Sequence, residues 1–179
     1  MKKIAFLFLM IGAAAISQVK APETDFVLQN GKVFWKHAFD VKGKSASDLA
    51  ALLESRFSSA PRIIGFAKSP SKITFTVQDD KPNLRFYGAK PMTTSIIAQL
   101  YMKYDVSIDL MNECYTVTLT NIFLDNKDLT ERKSGEISKF VCNLSNLTFK
   151  TDEIIQNGLK LDHRFFIDRF TIESDADKK

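Results

Sequence analysis

The strongest constraint in this chain is an alternation. From Ile96 to Leu110 every second residue is apolar: Ile96, Ala98, Leu100, Met102, Tyr104, Val106, Ile108 and Leu110. The residues between them, Ile97, Gln99, Tyr101, Lys103, Asp105, Ser107 and Asp109, are mostly polar. Side chains alternate faces along a strand and repeat near 3.6 residues on a helix. The pattern therefore predicts a long strand with one buried face. A helix through Ile97, Leu100, Tyr101, Tyr104 and Ile108 satisfies fewer positions. Met111-Asn112-Glu113 then turns the chain, and Tyr115 to Phe123 returns it. Tyr115, Val117 and Leu119 should face inward, and Thr116, Thr118 and Thr120 outward. Tyr104 and Val106 are expected to be buried, and Lys103 and Asp105 exposed.

A hairpin with one apolar face needs further strands and a cover. Val33, Trp35, His37, Phe39 and Val41 alternate in a strand before it, with Lys36 and Asp40 on the other face. Ser45 and Asp48 form a capping-box pattern ahead of Leu49, Leu52, Leu53 and Phe57, which predicts a helix ending near Ser58 because Pro61 follows. Arg62–Lys68, Lys72–Gln78 and Leu84–Tyr87 read as strands, and Asp79–Pro82 as a loop. Ile137, Phe140, Val141 and Leu144 have roughly helical spacing in an otherwise ambiguous stretch. Ile154, Ile155, Leu159, Phe166 and Phe170 predict a terminal helix that Gly158 weakens. This order predicts an α+β fold: a curved antiparallel β-sheet with helices packed on one face and a polar, solvated face opposite.

The N-terminal segment reads as an address. Met1-Lys2-Lys3 is basic, Ile4–Ile16 is apolar, and Ala15-Ile16-Ser17 offers small residues for cleavage before Gln18. The run is about 13 residues, short of the roughly 20 of a membrane span. No cysteine follows it, so a lipoprotein anchor is not expected. The chain is accordingly divided into a signal peptide at 1–17, a leader or edge strand at 18–31, an α+β domain at 32–126, a helical extension packing on the sheet at 127–174 and a tail at 175–179. The expected location is periplasmic or extracellular, with no stable membrane span after cleavage. The net charge of +4 falls to +2 once Lys2 and Lys3 are set aside, which points to no acidic partner.

The arrangement Gly31-Lys32-Val33-Phe34-Trp35, then Val41-Lys42-Gly43, a Ser-x-x-Asp-Leu helix and Thr-rich strands with a long hairpin resembles an exported bacterial family, domain of unknown function 4468. The resemblance spans about Asn30 to Asn126. It implies a fold like the TATA-box-binding protein (TBP-like), and it supplies no catalytic residues.

Motifs that would announce chemistry are missing: there is no Walker loop, GxGxxG, GxSxG, HExxH or CxxC. His37 reads as a core histidine satisfied by a backbone carbonyl, or else as a catalytic or metal-binding imidazole. His163, between Asp162 and Arg164, reads as a surface residue. Asp105 and Asp109 share a face but lie about 13 Å apart along a strand, beyond the roughly 5–9.5 Å of glycosidase carboxylates. Asp79-Asp80 offers too few ligands for calcium by itself. No metal or cofactor is expected. Cys114 and Cys142 could form a disulfide in an oxidising compartment, or Cys142 could be a buried small hydrophobe. Tyr101, Lys103, Thr116 and Thr118 form the candidate contact face, or are ordinary cross-strand pairs. The resulting expectation is an exported non-catalytic module that binds an envelope protein or glycan. The alternative is an envelope-acting hydrolase, favoured if a pocket joins His37 or His163 to a carboxylate. Nucleic acid is not an expected partner, because Lys36, Arg85 and Lys103 on the polar face are offset by Asp40, Asp105 and Asp109.

Overall fold

A computed structural model describes residues 18–127 and 134–172. The expected signal peptide, the end of the C-terminal extension, the tail and residues 128–133 lie outside them. The strands are β1 (Val19–Lys20), β2 (Phe26–Gln29), β3 (Lys32–Asp40), β4 (Ile63–Ser69), β5 (Lys72–Asp80), β6 (Tyr101–Met111), β7 (Cys114–Asp125) and β8 (Gly135–Glu136). They form one antiparallel sheet in the order β1-β2-β3-β7-β6-β5-β4, with β8 added to the end of β7. The described residues also form helices α1 (Ala46–Phe57), α2 (Ile137–Val141) and α3 (Glu153–Phe170), and a small hairpin of β9 (Cys142–Asn143) and β10 (Thr148–Phe149).

The order follows from α1. It leaves β3 in mid-sheet and delivers β4 to the far edge, from which β5, β6 and β7 walk back to β3. Ser45 caps its N-terminus, and the reciprocal bond to Asp48 completes the capping box. The hairpin turn holds it there: Asn112 Oδ1 accepts from Ala46 N at 3.1 Å, and Glu113 Oε1 accepts from Gly43 N at 2.9 Å. Leu49, Ala50, Leu53 and Phe57 are buried. From the other helix come Leu159, Phe166 and Phe170, all with no exposed surface. Arg56 of α1 donates to the carbonyls of Arg169 and Thr171, capping the C-terminus of α3. Tyr115 Oη donates to Phe170 O at 2.6 Å and ties that end to β7.

The hairpin register is as expected over most of its length, with Val106 opposite Leu119 and Tyr104 and Val106 buried. Its start is corrected. Ile96–Gln99 is a 3₁₀ turn, and β6 begins only at Tyr101. Ile97 and Ala98 are both buried, which successive strand residues on a one-faced sheet would not be, and Ile96 is exposed. Gly158 explains the turn. A Cβ built there would lie 2.6 Å from Ser95 Cβ and 2.7 Å from Ile97 Cγ1. The residue that weakens α3 locally is what lets residues 95–97 seat against it. Gly158→Ala should therefore destabilise the protein, although alanine is worth about 1 kcal/mol more than glycine in a helix. Denaturant unfolding checks this; a variant more stable than the parent would contradict the close approach.

Two bulges overrule simple alternation. Between Lys103↔Phe123 and Asp105↔Thr120, β7 advances one residue more than β6. Asn121 takes up the extra residue at φ +51°. Ile122 and Leu124 thus turn inward, and Phe123, which alternation sends to the core, turns outward. In β5, Asp79 at φ +56° does the same between Val77 and Asp80. Asp80 is consequently not in a loop. It is buried at the end of β5, where Tyr104 Oη donates to it at 2.6 Å and Arg169 Nε lies 3.5 Å away. Asp79 pairs with Lys127. The two carboxylates serve separate partners, and neither is arranged as a calcium loop.

Two further expectations change, and of the two readings of the cysteines the structure has the free-thiol one. Residues 84–87 are consecutive turns, not a strand: Phe86 N bonds Asn83 O and Gly88 N bonds Arg85 O. Arg85 is therefore off the sheet face. Leu144 is exposed in the turn between β9 and β10 rather than on a helix. Cys114 and Cys142 are both free thiols. Cys114 starts β7, whereas Cys142 follows α2, which leaves the sheet from β8 beside Phe123 and Leu124 at the far end of β7. Cys142 is buried as a small hydrophobe beside Phe149, and burial pushes its thiol up to about 11.

Candidate functional site

Two surfaces gather polar side chains. The first lies at the β1–β2 edge, where the strand faces of β3 and α3 meet. Thr24 and Asp25 precede β2, and Asp25 Oδ2 lies 2.5 Å from His37 Nδ1 and its Oδ1 2.6 Å from Lys20 Nζ. Burial raises the Asp25 carboxyl, but the hydrogen bonds from Lys20 and His37 outweigh it and leave the group below its ordinary value. An ionised carboxylate only accepts, so His37 Nδ1 carries the proton. The backbone carbonyl expected for His37 is replaced by a side-chain acid.

His163, expected at the surface, is half-buried and engaged. Trp35 Nε1 donates to its Nδ1 at 3.0 Å. That bond requires an unprotonated Nδ1. Desolvation, reinforced by the nearby His37 and Lys20 and opposed by Asp25, lowers its pKa, in keeping with the neutral form. Trp35 stacks on His37 with centroids 5.7 Å apart, and the two histidine rings are 6.2 Å apart. Residues Lys20–Asp25 and His163 border an open depression of about 480 Å³. Asp25 and His37 have the geometry of an acid-oriented base. No hydroxyl or thiol among the described residues hydrogen-bonds to His37, and the nearest in sequence to Asp25, Thr24, is committed to Ala21 O and Phe26 N. This cluster was hard to foresee. The alternation placed His37 beside Trp35, but Asp25 and His163 reach it only through the β2–β3 pairing and the docking of α3.

The second surface is the polar face of the sheet, away from α1 and α3. It holds all of the candidate contact residues, but not together. Tyr101 pairs with Asp125 and Lys103 with Phe123, whereas Thr116 and Thr118 pair with Asp109 and Ser107. Lys103 and Thr116 are thus about six strand positions apart, roughly 20 Å, and not across the hairpin from one another. Thr116 and Thr118 face Ala38 and Lys36 of β3. Tyr101 lies under Lys81, whose Nζ is 4.5 Å from its ring centroid.

Of these four residues Lys103 alone lines a groove on this face, of about 520 Å³, with Ile64, Thr76, Asp105, Asn121, Phe123 and Glu136. Asp105 is less exposed than expected because it accepts from Thr76 Oγ1 at 2.7 Å and from Asn121 Nδ2 at 2.8 Å. Asp109 is separate and pairs loosely with Lys72 at 3.5 Å. The bulges make the groove: without Asn121, Phe123 would point into the core. Phe123 and Ile64 supply apolar walls, and Lys103 and Glu136 supply unlike charges. Among the described residues no group of three or more metal-ligating side chains is assembled.

No family model and no curated protein matches the sequence. The fold does have a solved likeness. A TBP-like protein from Parabacteroides distasonis aligns with a TM-score of 0.51 and 12% identity, over 79% of this chain and 89% of its own. A DUF4468 family protein from Bacteroides ovatus aligns at a TM-score of 0.46 and 14% identity, over 88% of this chain and 87% of its own. The α+β fold is TBP-like.

Proposed function

We propose that the chain is an exported, non-catalytic module that recognises an envelope glycan or protein through the polar face of its sheet, and that it is a member of the 4468 family. The observation that carries the recognition reading is the groove at the Asn121 bulge. One aromatic wall, Phe123, and one aliphatic wall, Ile64, flank Lys103 and Glu136, a combination that suits the apolar face and hydroxyls of a sugar. The polar groups between them satisfy one another, so the groove is shaped before any ligand arrives. Export rests on residues 1–17, with Gln18 as the new N-terminus and a periplasmic or extracellular destination without a lipid anchor. No helix among the described residues is long and apolar enough to cross a membrane. We do not propose duplex DNA as a partner: Lys36 and Lys103 on the sheet face are offset by Asp40, Asp105 and Asp109, so these charges offer phosphates no net attraction.

Co-sedimentation with purified peptidoglycan, and titration with its soluble fragments, tests this. The parent should bind, and Phe123→Ala and Lys103→Glu should each weaken binding at least about fivefold. Absence of binding refutes peptidoglycan as the ligand, and binding indifferent to both substitutions refutes the groove as the site.

The Asp25–His37 pair favours a second reading, a hydrolase acting on envelope material, in which His37 Nε2 takes a proton from an attacking water and returns it to the leaving group. Release of soluble fragments from the same peptidoglycan by the parent, lost in His37→Ala, would support it over the binding module.

A further inference from the structure

The connection from β5 to β6, residues 81–100, is too long to be a mere link, since loops beyond about 12–15 residues in compact domains usually serve a function. It is also well organised. Gln99 Nε2 donates to the carbonyls of Pro91 at 2.9 Å and Thr94 at 2.8 Å, and Thr94 Oγ1 donates to Lys90 O at 2.7 Å. It is strapped along α3. Tyr87 Oη donates to Asp168 at 2.8 Å, with the Arg164 guanidinium 5.3 Å from its ring, while residues 95 and 97 seat against Gly158 nearly three helical turns earlier.

What the strap presents outward is unusual. Phe86 is 74% exposed and Met92 98% exposed, the two most exposed large apolar side chains among the described residues, and Ile96 is exposed as well. Single exposed apolar residues are ordinary, but three on one braced loop are not. The charge on the loop has one sign. It contains Lys81, Arg85 and Lys90 and no carboxylate. The acids that flank it are engaged: Asp79 with Lys127, Asp80 with Tyr104 and Arg169, and Asp168 with Tyr87.

Exposed apolar tips beside cations, Phe86 next to Arg85 and Met92 two residues from Lys90, are the chemistry of a segment that lies in the headgroup layer of an anionic bilayer. A soluble acidic protein would use the cations but leave Met92 and Phe86 in water, and a neutral apolar partner would leave the cations unused. We infer that the 81–100 strap docks the protein onto an anionic lipid surface, with Phe86 and Met92 entering the headgroup boundary and Arg85 and Lys90 meeting the phosphates. This surface is distinct from the sheet-face groove and does not depend on it.

The test uses the full chain carrying Met92→Trp. Trp35 is completely buried, so the new indole is the one that lipid can reach. Vesicles of phosphatidylglycerol and phosphatidylethanolamine with brominated acyl chains should quench most of its added fluorescence, and phosphatidylcholine vesicles should not. Leu144→Trp, an exposed apolar position on the β9–β10 turn, serves as the control for lipid held near by other segments, residues 1–17 included, and should stay unquenched. Adding Arg85→Glu and Lys90→Glu to Met92→Trp should lower the apparent vesicle affinity at least roughly 25-fold, about fivefold for each cation. The inference is overturned by no quenching at position 92, by equal quenching at 144, by equal quenching in phosphatidylcholine, or by an affinity indifferent to the charge reversals. Protection of the strap by a soluble polyanion without any vesicle binding would also overturn it and assign the cations to that partner.

Discussion

Val106→Asp should cost the fold about 3–5 kcal/mol, the penalty for leaving a buried charge without a partner. Val106 is 3% exposed in the middle of β6, paired with Phe75 of β5 and Leu119 of β7. Its neighbours on the buried face, Tyr104 and Ile108, have no exposed surface. The side-chain donors of the strands on this face are committed elsewhere: Tyr104 serves Asp80, Tyr115 serves Phe170 O and Trp35 serves His163. Domains of this size are stable by only about 5–15 kcal/mol, so the variant should be largely unfolded near its former melting temperature. Asp105→Asn is the contrast. One residue away on the other face, it keeps an acceptor for Thr76 or Asn121 and should lose no more than about 1 kcal/mol. Urea unfolding of the two variants and the parent decides the matter. Equal losses would mean that the face assignment of β6 is wrong.

The second large effect is a dependence of stability on pH between about 4 and 8. Asp162 sits on α3 one turn from Leu159 and Phe166, has no exposed surface, and neither of its carboxyl oxygens has a hydrogen-bond partner. Desolvation pushes it up to about 8 from 3.8. In the native protein it is therefore a neutral acid at pH 7, while in the unfolded chain it is ionised. Between these values the native state binds the extra proton, so stability falls as pH rises, by about 1.4 kcal/mol per pH unit. The full span corresponds to roughly 6 kcal/mol, complete once pH passes the native value. His163 works in the opposite sense, since its lowered pKa removes stability as pH falls below about 6.5. The window from pH 7 to 8 isolates Asp162. There the parent should lose about 1 kcal/mol and Asp162→Asn should not. A parent whose unfolding free energy is flat from pH 7 to 8 would refute a buried neutral Asp162.

Much of the sheet was legible from the chain alone. Tyr104, Val106, Ile108 and Leu110 name a buried strand face without help, because side chains in a strand can face only two ways and water sorts them. The α1 helix announced itself by Ser45, Asp48 and Pro61, all local devices. Where the expectation failed, the cause was a residue that broke the count. Asn121 and Asp79 adopt left-handed backbone, insert one position each and exchange inside for outside beyond them. Nothing in an alternation reveals such an insertion, since Asn and Asp are equally common in turns and on polar faces. The start of β6 failed for a different reason. Ile96 continues the period, but the absence of a side chain on Gly158 admits Ile97 to the packing against α3.

The candidate sites show the same division. Types of residue were visible in the sequence: two histidines, an aromatic strand, a basic stretch free of acids between Asp80 and Asp105. Partners were not. His37 meets Asp25 through a register of β2 on β3, and His163 meets Trp35 across 128 residues of chain. Thr116 and Lys103 share a face in the sequence pattern and are kept apart by the pairing that makes that face. Apolar faces, the ends of α1 and the antiparallel α+β fold can be read from the chain alone, because each of these follows from water and from bonds between near neighbours. Register, bulges and the seat of α3 decided which polar groups meet, because contacts between distant segments depend on how whole faces fit, and one inserted residue in a strand reverses every side chain after it.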